Sequence, residues 1–396
     1  MSRPIYMDHH ATTPCAPEVV EAMQPFWSEK FGNAASRAHR YGWEADEAVK
    51  AARLELARFV GAAPSEIVFT SGATEANNLA LKGMVEASGA PRPHVVTVAT
   101  EHASVLDPCA YLEATGRAEV TRLPVRPDGT LDLSDLEAAI RPETLLVSVM
   151  HANNEIGTLH PVAEIGALAK ARGIFFHCDA AQSASTQPLD VEAMGVDLLT
   201  LSAHKMYGPK GIGLLYLRRR GPRARPAPLL HGGGHERGIR SGTLPVPLVV
   251  GFAAAARSVT AQREAEAARL AALRDRLLEI VRSGLDGVHV NGTLTARLPH
   301  NLNLSFEGID GEALLLALRE VALSSGSACA SASPKPSHVL RALRLPDRLV
   351  RASIRIGLGR GNTAEEVERV GARIVEAVRH LRQRAPGHGG LAPARS

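Results

Sequence analysis

Asp197-Leu-Leu-Thr-Leu-Ser-Ala-His-Lys205-Met-Tyr-Gly-Pro-Lys-Gly-Ile-Gly213-Leu-Leu-Tyr-Leu217 carries the reading of the fold. Its two short apolar runs, Asp197–Leu201 and Gly213–Leu217, read as buried strands. A turn rich in glycine joins them and places Lys205 just past the first strand. Outward from this stretch, Ile67–Thr70, His94–Ala99, Leu145–Met150 and Ile174–Cys178 repeat the strand pattern. Helical periods fill the gaps at Glu75–Val85, Ser104–Ala114, Leu133–Ala139 and Val162–Ala171. Strands alternating with helices predict an α/β fold, with a mainly parallel sheet flanked by helices on both faces.

Beyond this region a long helical pattern runs from Val249 to Arg282 and leads into a smaller α+β unit. There the expected strands are Asn301–Phe306 and Ser353–Leu358. The expected helices lie near Glu312–Arg319, Ser337–Leu343 and Ala364–Gln383. The expected division is a large domain over 1–250 and a small C-terminal domain over 251–385, with an arm, 1–15, able to pack on the small domain. The Gly/Pro/Ala-rich end, 386–396, reads as a disordered tail.

Composition narrows the function. A chain of 396 residues exceeds one ordinary core, and 45% apolar with 22% charged residues describes a globular protein. Forty-five basic against 41 acidic residues leave only +4, and the arginines are scattered among glutamates with no basic stripe, so no direct nucleic-acid partner is expected. Neither a run of 18 apolar residues nor a charged-then-apolar leader is present, so neither a membrane span nor a signal peptide is expected. Cys15, Cys109, Cys178 and Cys329 form no CxxC pair, which argues against a disulfide framework or zinc ribbon and for a reducing, cytoplasmic setting.

Lys205 falls where α/β sheets place their ligands, at a strand's carboxyl end, and partial desolvation there makes an amine nucleophilic. Taken alone, a lysine beside a turn is an ordinary surface residue. It has company. Ile174-Phe-Phe-His-Cys-Asp179-Ala-Ala-Gln182 sets an acid at the end of another strand. An acid there can hold a pyridinium nitrogen protonated, or simply cap a helix. Thr70-Ser-Gly-Ala-Thr74-Glu-Ala-Asn77 is a strand–turn–helix whose amides suit a phosphate, or an ordinary capping turn. His102, after the strand ending near Thr100, could stack on a cofactor ring, shuttle a proton, or be structural.

Competing motifs fail. His231-Gly-Gly-Gly-His-Glu-Arg-Gly238 lacks GxGxxG spacing, no GxxxxGK[ST] is present, and 16 histidines yield no HExxH. Cys178 and Cys109 suit small buried hydrophobes. Cys329 does not, because Ser324-Ser-Gly-Ser-Ala-Cys-Ala-Ser-Ala-Ser-Pro-Lys-Pro-Ser337 has nothing bulky enough to build a core. A thiol in such a loop is expected to be exposed and nucleophilic.

Together these residues resemble the IscS/NifS-type cysteine desulfurases, in the class V aminotransferase group of fold-type I pyridoxal-phosphate enzymes. The resemblance runs from Tyr6-Met-Asp-His-His-Ala-Thr-Thr-Pro14 to Ile354-Arg-Ile-Gly-Leu-Gly-Arg360. It passes through Phe31-Gly-Asn-Ala-Ala-Ser36, Asn153-Asn-Glu-Ile-Gly157, Ser202-Ala-His-Lys205, Arg240-Ser-Gly-Thr243 and the Cys329 loop. Ala203 stands where relatives often carry glycine, and the tail after about Ala385 departs from the family's scaffold-docking end.

The resemblance implies a fold-type I transferase that binds pyridoxal 5'-phosphate and removes sulfur from L-cysteine, giving L-alanine and a persulfide on Cys329. In it, Lys205 holds the cofactor and then takes the Cα proton, Asp179 pairs with the ring nitrogen, and His102 stacks on the ring. Asn154 and Gln182 contact the ring's phenolic oxygen. Ala73, Thr74, Ser202 and His204 hold the phosphate, with Thr243 reaching in from the second subunit of a homodimer. Asn33 and Arg355 bind the substrate carboxylate. Iron–sulfur scaffolds or other sulfur acceptors, including a tRNA-thiolation relay, are the implied partners. Cys329 is also the implied metal ligand in a transient iron–sulfur hand-over. Selenocysteine lyase or aminotransferase chemistry on the same fold is the alternative.

Overall fold

The computed structural model describes residues 3–221, 223–325 and 336–384. Its centre is a seven-stranded sheet in the order 67–70, 213–217, 198–202, 175–179, 144–148, 94–98, 119–123. The five strands from 198–202 to 119–123 run parallel, and Gly213–Leu217 lies antiparallel to both its neighbours. The expected mainly parallel sheet is therefore present. Strands 94–98, 198–202 and 213–217 are buried along their whole length, as the unbroken apolar runs require. Glu119–Leu123 was not anticipated. It is an edge strand, partly exposed and carrying Glu119 and Arg122, so it lacks the apolar signature of its neighbours.

Parallel strands deliver their carboxyl ends to one side of the sheet. Phe175–Asp179 ends on Asp179 and its neighbour Leu198–Ser202 on Ser202, with Asp179 paired in register to Thr200. Lys205 closes the short helical turn that follows.

A second sheet, ordered 353–357, 301–306, 288–290 and wholly antiparallel, has its own apolar core around Leu302, Leu304, Ile354 and Ile356. One helix, Val246–Gly284, serves both cores. Its alanine-rich first half packs on helices Arg40–Phe59 and Pro17–Met23 and buries Val249, Phe252 and Val259 in the first core, and Leu270, Leu277, Leu278 and Val281 enter the second. Burying each such Phe or Leu stabilises the fold by roughly 1.5–3 kcal/mol.

The N-terminal segment divides between the two cores. Ile5–Tyr6 pairs in parallel with Val321–Ala322, and Met7 joins the second core. Helices Pro17–Met23 and Arg40–Phe59 pack on the first. Arg40–Phe59 buries Ala45, Val49, Ala52 and Leu56, a stripe at helical spacing. Among the described residues, no helix is long and apolar enough to cross a membrane. Cys329 and the tail 386–396 lie outside the described residues.

Candidate active site

A cleft of about 520 Å3 opens at the carboxyl ends of the large sheet. That is the size and place expected of a small-molecule site in a parallel sheet. Lys205 Nζ lies half-buried in it, donating to the backbone oxygens of His10 and Ala11. The turn after Lys205 is held by Tyr207, which sits at φ 63, a left-handed conformation uncommon for a non-glycine residue. Three contacts enforce it. Tyr207 N donates to Thr13 Oγ1 at 2.8 Å, Arg360 N donates to the Tyr207 hydroxyl at 3.0 Å, and the Arg360 guanidinium covers the ring.

Asp179 lines the cleft and is held on both oxygens. Oδ1 accepts from Ala181 N at 2.9 Å, and Oδ2 accepts from Asn77 Nδ2 at 2.7 Å. The same Asn77 amide donates to Ser104 Oγ, which lies 2.8 Å from His102 Nδ1. Ser104 N also donates to His102 Nδ1, so a neutral His102 carries its proton on Nε2. Burial pushes the His102 ring below its ordinary pKa, with Asp179 opposing. Glu101 is fully buried nearby. Burial first, then the Asp179 charge, pushes its carboxyl well above the usual range. Asn77, Asp179, Ser104 and His102 thus form one connected array in which the acid at the cleft keeps a fixed orientation.

The opposite end suits an anion. Helix Ala73–Ala87 begins at Gly72 with no side-chain cap, so its first amides face the turn unclaimed by a capping group. The turn lies tight against the sheet because a Cβ at Gly213 would sit 2.7 Å from Gly72 Cα. Ser202 and His204 line the same region, and His204 Nδ1 lies 3.1 Å from Thr12 Oγ1. Burial and the neighbouring lysines lower the His204 ring to about 4, so it is a neutral partner. A lysine, a fixed acid and an uncapped helix start around one cleft fit pyridoxal 5'-phosphate, which has a carbonyl carbon, a basic ring nitrogen and a phosphate.

Ala73, Thr74, His102, Asn154, Asp179, Gln182, Ser202, His204 and Lys205 all line this cleft. Three other expected residues do not. Arg355 is buried behind Asn154, donating from Nη1 to the Asn154 backbone oxygen at 3.2 Å. Asn33 is exposed, its Oδ1 accepting from Ala35 N. Thr243 is also exposed, and Arg240 ties its segment to Glu75 at 2.8 Å. Cys178 and Cys109 are buried, and burial raises both thiols.

Sequence reasoning missed Asp8, Asn77, Glu101 and Glu155. Asp8, Asn77 and Glu155 lie inside stretches singled out for their neighbours, Glu101 stands beside His102, and nothing local distinguishes them.

Residues 5–370 match the class-V aminotransferase family. The chain is 55% identical to the cysteine desulfurase IscS of Anaeromyxobacter sp. (strain Fw109-5), over 98% of this chain and 95% of that protein. It is 48% identical to the cysteine desulfurase IscS of Rickettsia akari (strain Hartford), over 98% and 94%. Among solved structures, a NifS-like protein superposes with a TM-score of 0.88 at 37% identity, over 96% of this chain and all of that one. SspA in complex with cysteine gives 0.79 at 39% identity, over 89% and 98%.

Proposed function

The chain belongs to the class-V aminotransferase family, and from that premise we propose that it is a pyridoxal-phosphate-dependent cysteine desulfurase. The observation that carries the reading is the placement of Lys205 and Asp179 in one cleft beside an uncapped helix start. L-Cysteine is the substrate, as the cysteine-bound neighbour supports.

When bound, the cofactor supplies an electron sink for the charge left as the substrate's Cα proton departs. Asp179, fixed by Asn77 and Ala181, keeps the ring nitrogen's proton in place. Ala73, Thr74, Ser202 and His204 would hold the phosphate, Asn154 and Gln182 would meet the phenolic oxygen, and His102 would contact the ring. Lys205 Nζ anchors the cofactor and then takes the Cα proton. The Cys329 thiolate attacks the substrate sulfur. An S–S bond forms, the C–S bond breaks with its electron pair returning to carbon, and alanine leaves after protonation. Asn33 and Arg355, neither of which lines the cleft in this structure, are assigned the substrate carboxylate by likeness to the family alone.

The active unit in this reading is a homodimer working in the cytoplasm. Trp27, Phe31, Tyr41 and Trp43 are each more than half exposed around Asn33, an aromatic surface that a second copy would cover. Thr243, exposed in one chain, would then reach the other's phosphate. Persulfide sulfur passes to an acceptor such as an iron–sulfur scaffold.

Purified protein given L-cysteine should show visible cofactor absorbance and form alanine and sulfane sulfur one for one. Transfer of the amino group to a 2-oxo acid with sulfur retained would assign the fold to aminotransferase chemistry instead.

A further inference from the structure

We propose that His10 is a positioning residue that fixes the side-chain amide of Gln182 so that it presents an N–H donor to the cleft. Gln182 lines the cleft, and His10, 1% exposed, stands directly behind it. Two contacts join them. Gln182 Nε2 donates to the His10 backbone oxygen at 3.0 Å, and His10 Nδ1 lies 3.0 Å from Gln182 Oε1. The backbone carbonyl can only accept, so it decides which end of the amide is nitrogen. Oε1 must therefore face Nδ1, and Nδ1 must carry a proton.

The far side of the ring gives the same answer independently. Asn301 Nδ2 lies 3.1 Å from His10 Nε2 and donates at 3.1 Å to the backbone oxygen of Glu155. That carbonyl again decides the orientation of an amide. Nitrogen faces the ring, so His10 Nε2 must accept and carries no proton. Gly157 makes room for this arrangement, because a Cβ there would lie 2.6 Å from Asn301 Cβ. Two backbone oxygens, one on each side, thus select one neutral tautomer.

A doubly protonated ring would set an N–H against the Asn301 N–H. The charged and titratable groups facing His10 are His300, Arg355 and Lys205, and each disfavours an imidazolium. His300 stacks on the ring at 4.5 Å with planes 25° apart, holding it in place. With Oε1 engaged and one Nε2–H spent on His10, the donor left to Gln182 is its second Nε2–H. Such a donor stabilises an anionic oxygen more than a protonated one and so favours the anion. The backbone oxygen that Gln182 clamps is also one of the two on which Lys205 Nζ rests, so His10 steadies both groups at once.

The proposal rests on the reading that Gln182 meets the cofactor's phenolic oxygen, and the test has one arm that does not. In full-length protein without added cofactor, the nitrogen-15 shifts of the His10 imidazole should report the Nδ1–H tautomer from pH 6 to about 8. The Nε2–H tautomer would overturn the proposal outright. In cofactor-loaded protein, His10→Phe keeps a flat ring against His300 and the backbone oxygen that accepts from Gln182, but loses the Nδ1 contact to Gln182 Oε1 and the Nε2 contact to Asn301. The pH midpoint of the visible absorbance should then rise by about half a unit or more. His10→Asn, whose amide nitrogen can occupy the place of Nδ1, should restore the midpoint. An unchanged midpoint in a folded His10→Phe protein would overturn the positioning role. A wild-type protein with no visible absorbance would overturn the cofactor reading and leave the tautomer result standing.

Discussion

Arg355 Nη2 donates to Asp8 Oδ1 at 2.8 Å, joining residues 347 positions apart in the chain. The guanidinium is 1% exposed, and its Nε has no partner among the described residues. Asp8 Oδ2 accepts from Ser324 Oγ at 2.7 Å, so one carboxylate both balances a buried charge and holds the chain just before the Cys329 loop. Removing one partner of such a pair strands the other. Asp8→Asn should cost about 3–5 kcal/mol of stability in urea unfolding. Adding Arg355→Met to Asp8→Asn should recover part of the loss, because no charge then remains buried. Strictly additive losses would show that the two side chains do not act as a pair.

Gly213 supports the anion-binding end of the cleft by having no side chain. A Cβ there would lie 2.6 Å from the Leu201 oxygen and 2.7 Å from Gly72 Cα. Neither backbone atom can yield without separating the turn before Ala73 from the sheet. Gly213→Ala should weaken cofactor binding about tenfold or more, roughly 1.4 kcal/mol, with a further stability loss of about 1–3 kcal/mol from overpacking. Gly361→Ala, where nothing lies within 4 Å of the added carbon, serves as the control. Equal cofactor affinity in the two variants would remove the argument from close approach.

The sequence displayed those parts of the fold whose residues announce their own surroundings. Leu198–Ser202 and Gly213–Leu217 are apolar because both faces are covered, and that can be read locally. Glu119–Leu123 is half solvated and looks like loop. Helix Arg40–Phe59 buries mostly small residues, which weaken its signal. The same contrast holds in the cleft. Lys205 and Asp179 stand at strand ends, a position with chemical meaning of its own. Asp8, Asn77 and Glu155 act only through distant partners, and no local spacing encodes those.

Glu155 yields a pH prediction. Its carboxyl is buried and pushed up to about 7, burial outweighing the Ser337 hydroxyl at 2.5 Å and the Arg355 charge. The folded protein therefore holds a proton there that the unfolded chain releases near 4.5. The stability linked to this proton is full below pH 4.5 and is lost as pH rises toward 7, roughly 3 kcal/mol in all. Glu155→Gln has nothing to titrate. Urea unfolding at pH 5 and pH 8 should show the wild type losing about 2.5 kcal/mol more than the variant across that interval. Parallel losses would mean that Glu155 ionises normally in the folded protein.

Lys205 and Cys329 should fail differently when replaced. Lys205 Nζ rests in the cleft on the His10 and Ala11 oxygens, within the set of residues that suits the cofactor. Lys205→Ala removes the amine that anchors the cofactor and the base that takes the Cα proton. The wild-type visible absorbance and all turnover of L-cysteine should disappear together, a loss of activity of at least about a thousandfold. Cys329 contributes no cofactor-binding group in the proposed function. Cys329→Ser should therefore keep the cofactor, and added L-cysteine should still change the spectrum. Persulfide should not form, because a serine hydroxyl at neutral pH is a far poorer nucleophile toward sulfur than a thiolate. Spectra and alanine release, measured side by side on both variants, separate the two roles. Alanine release from Cys329→Ser at the wild-type rate would show that another group accepts the sulfur, and the chemistry would revert to that of a general pyridoxal-phosphate lyase.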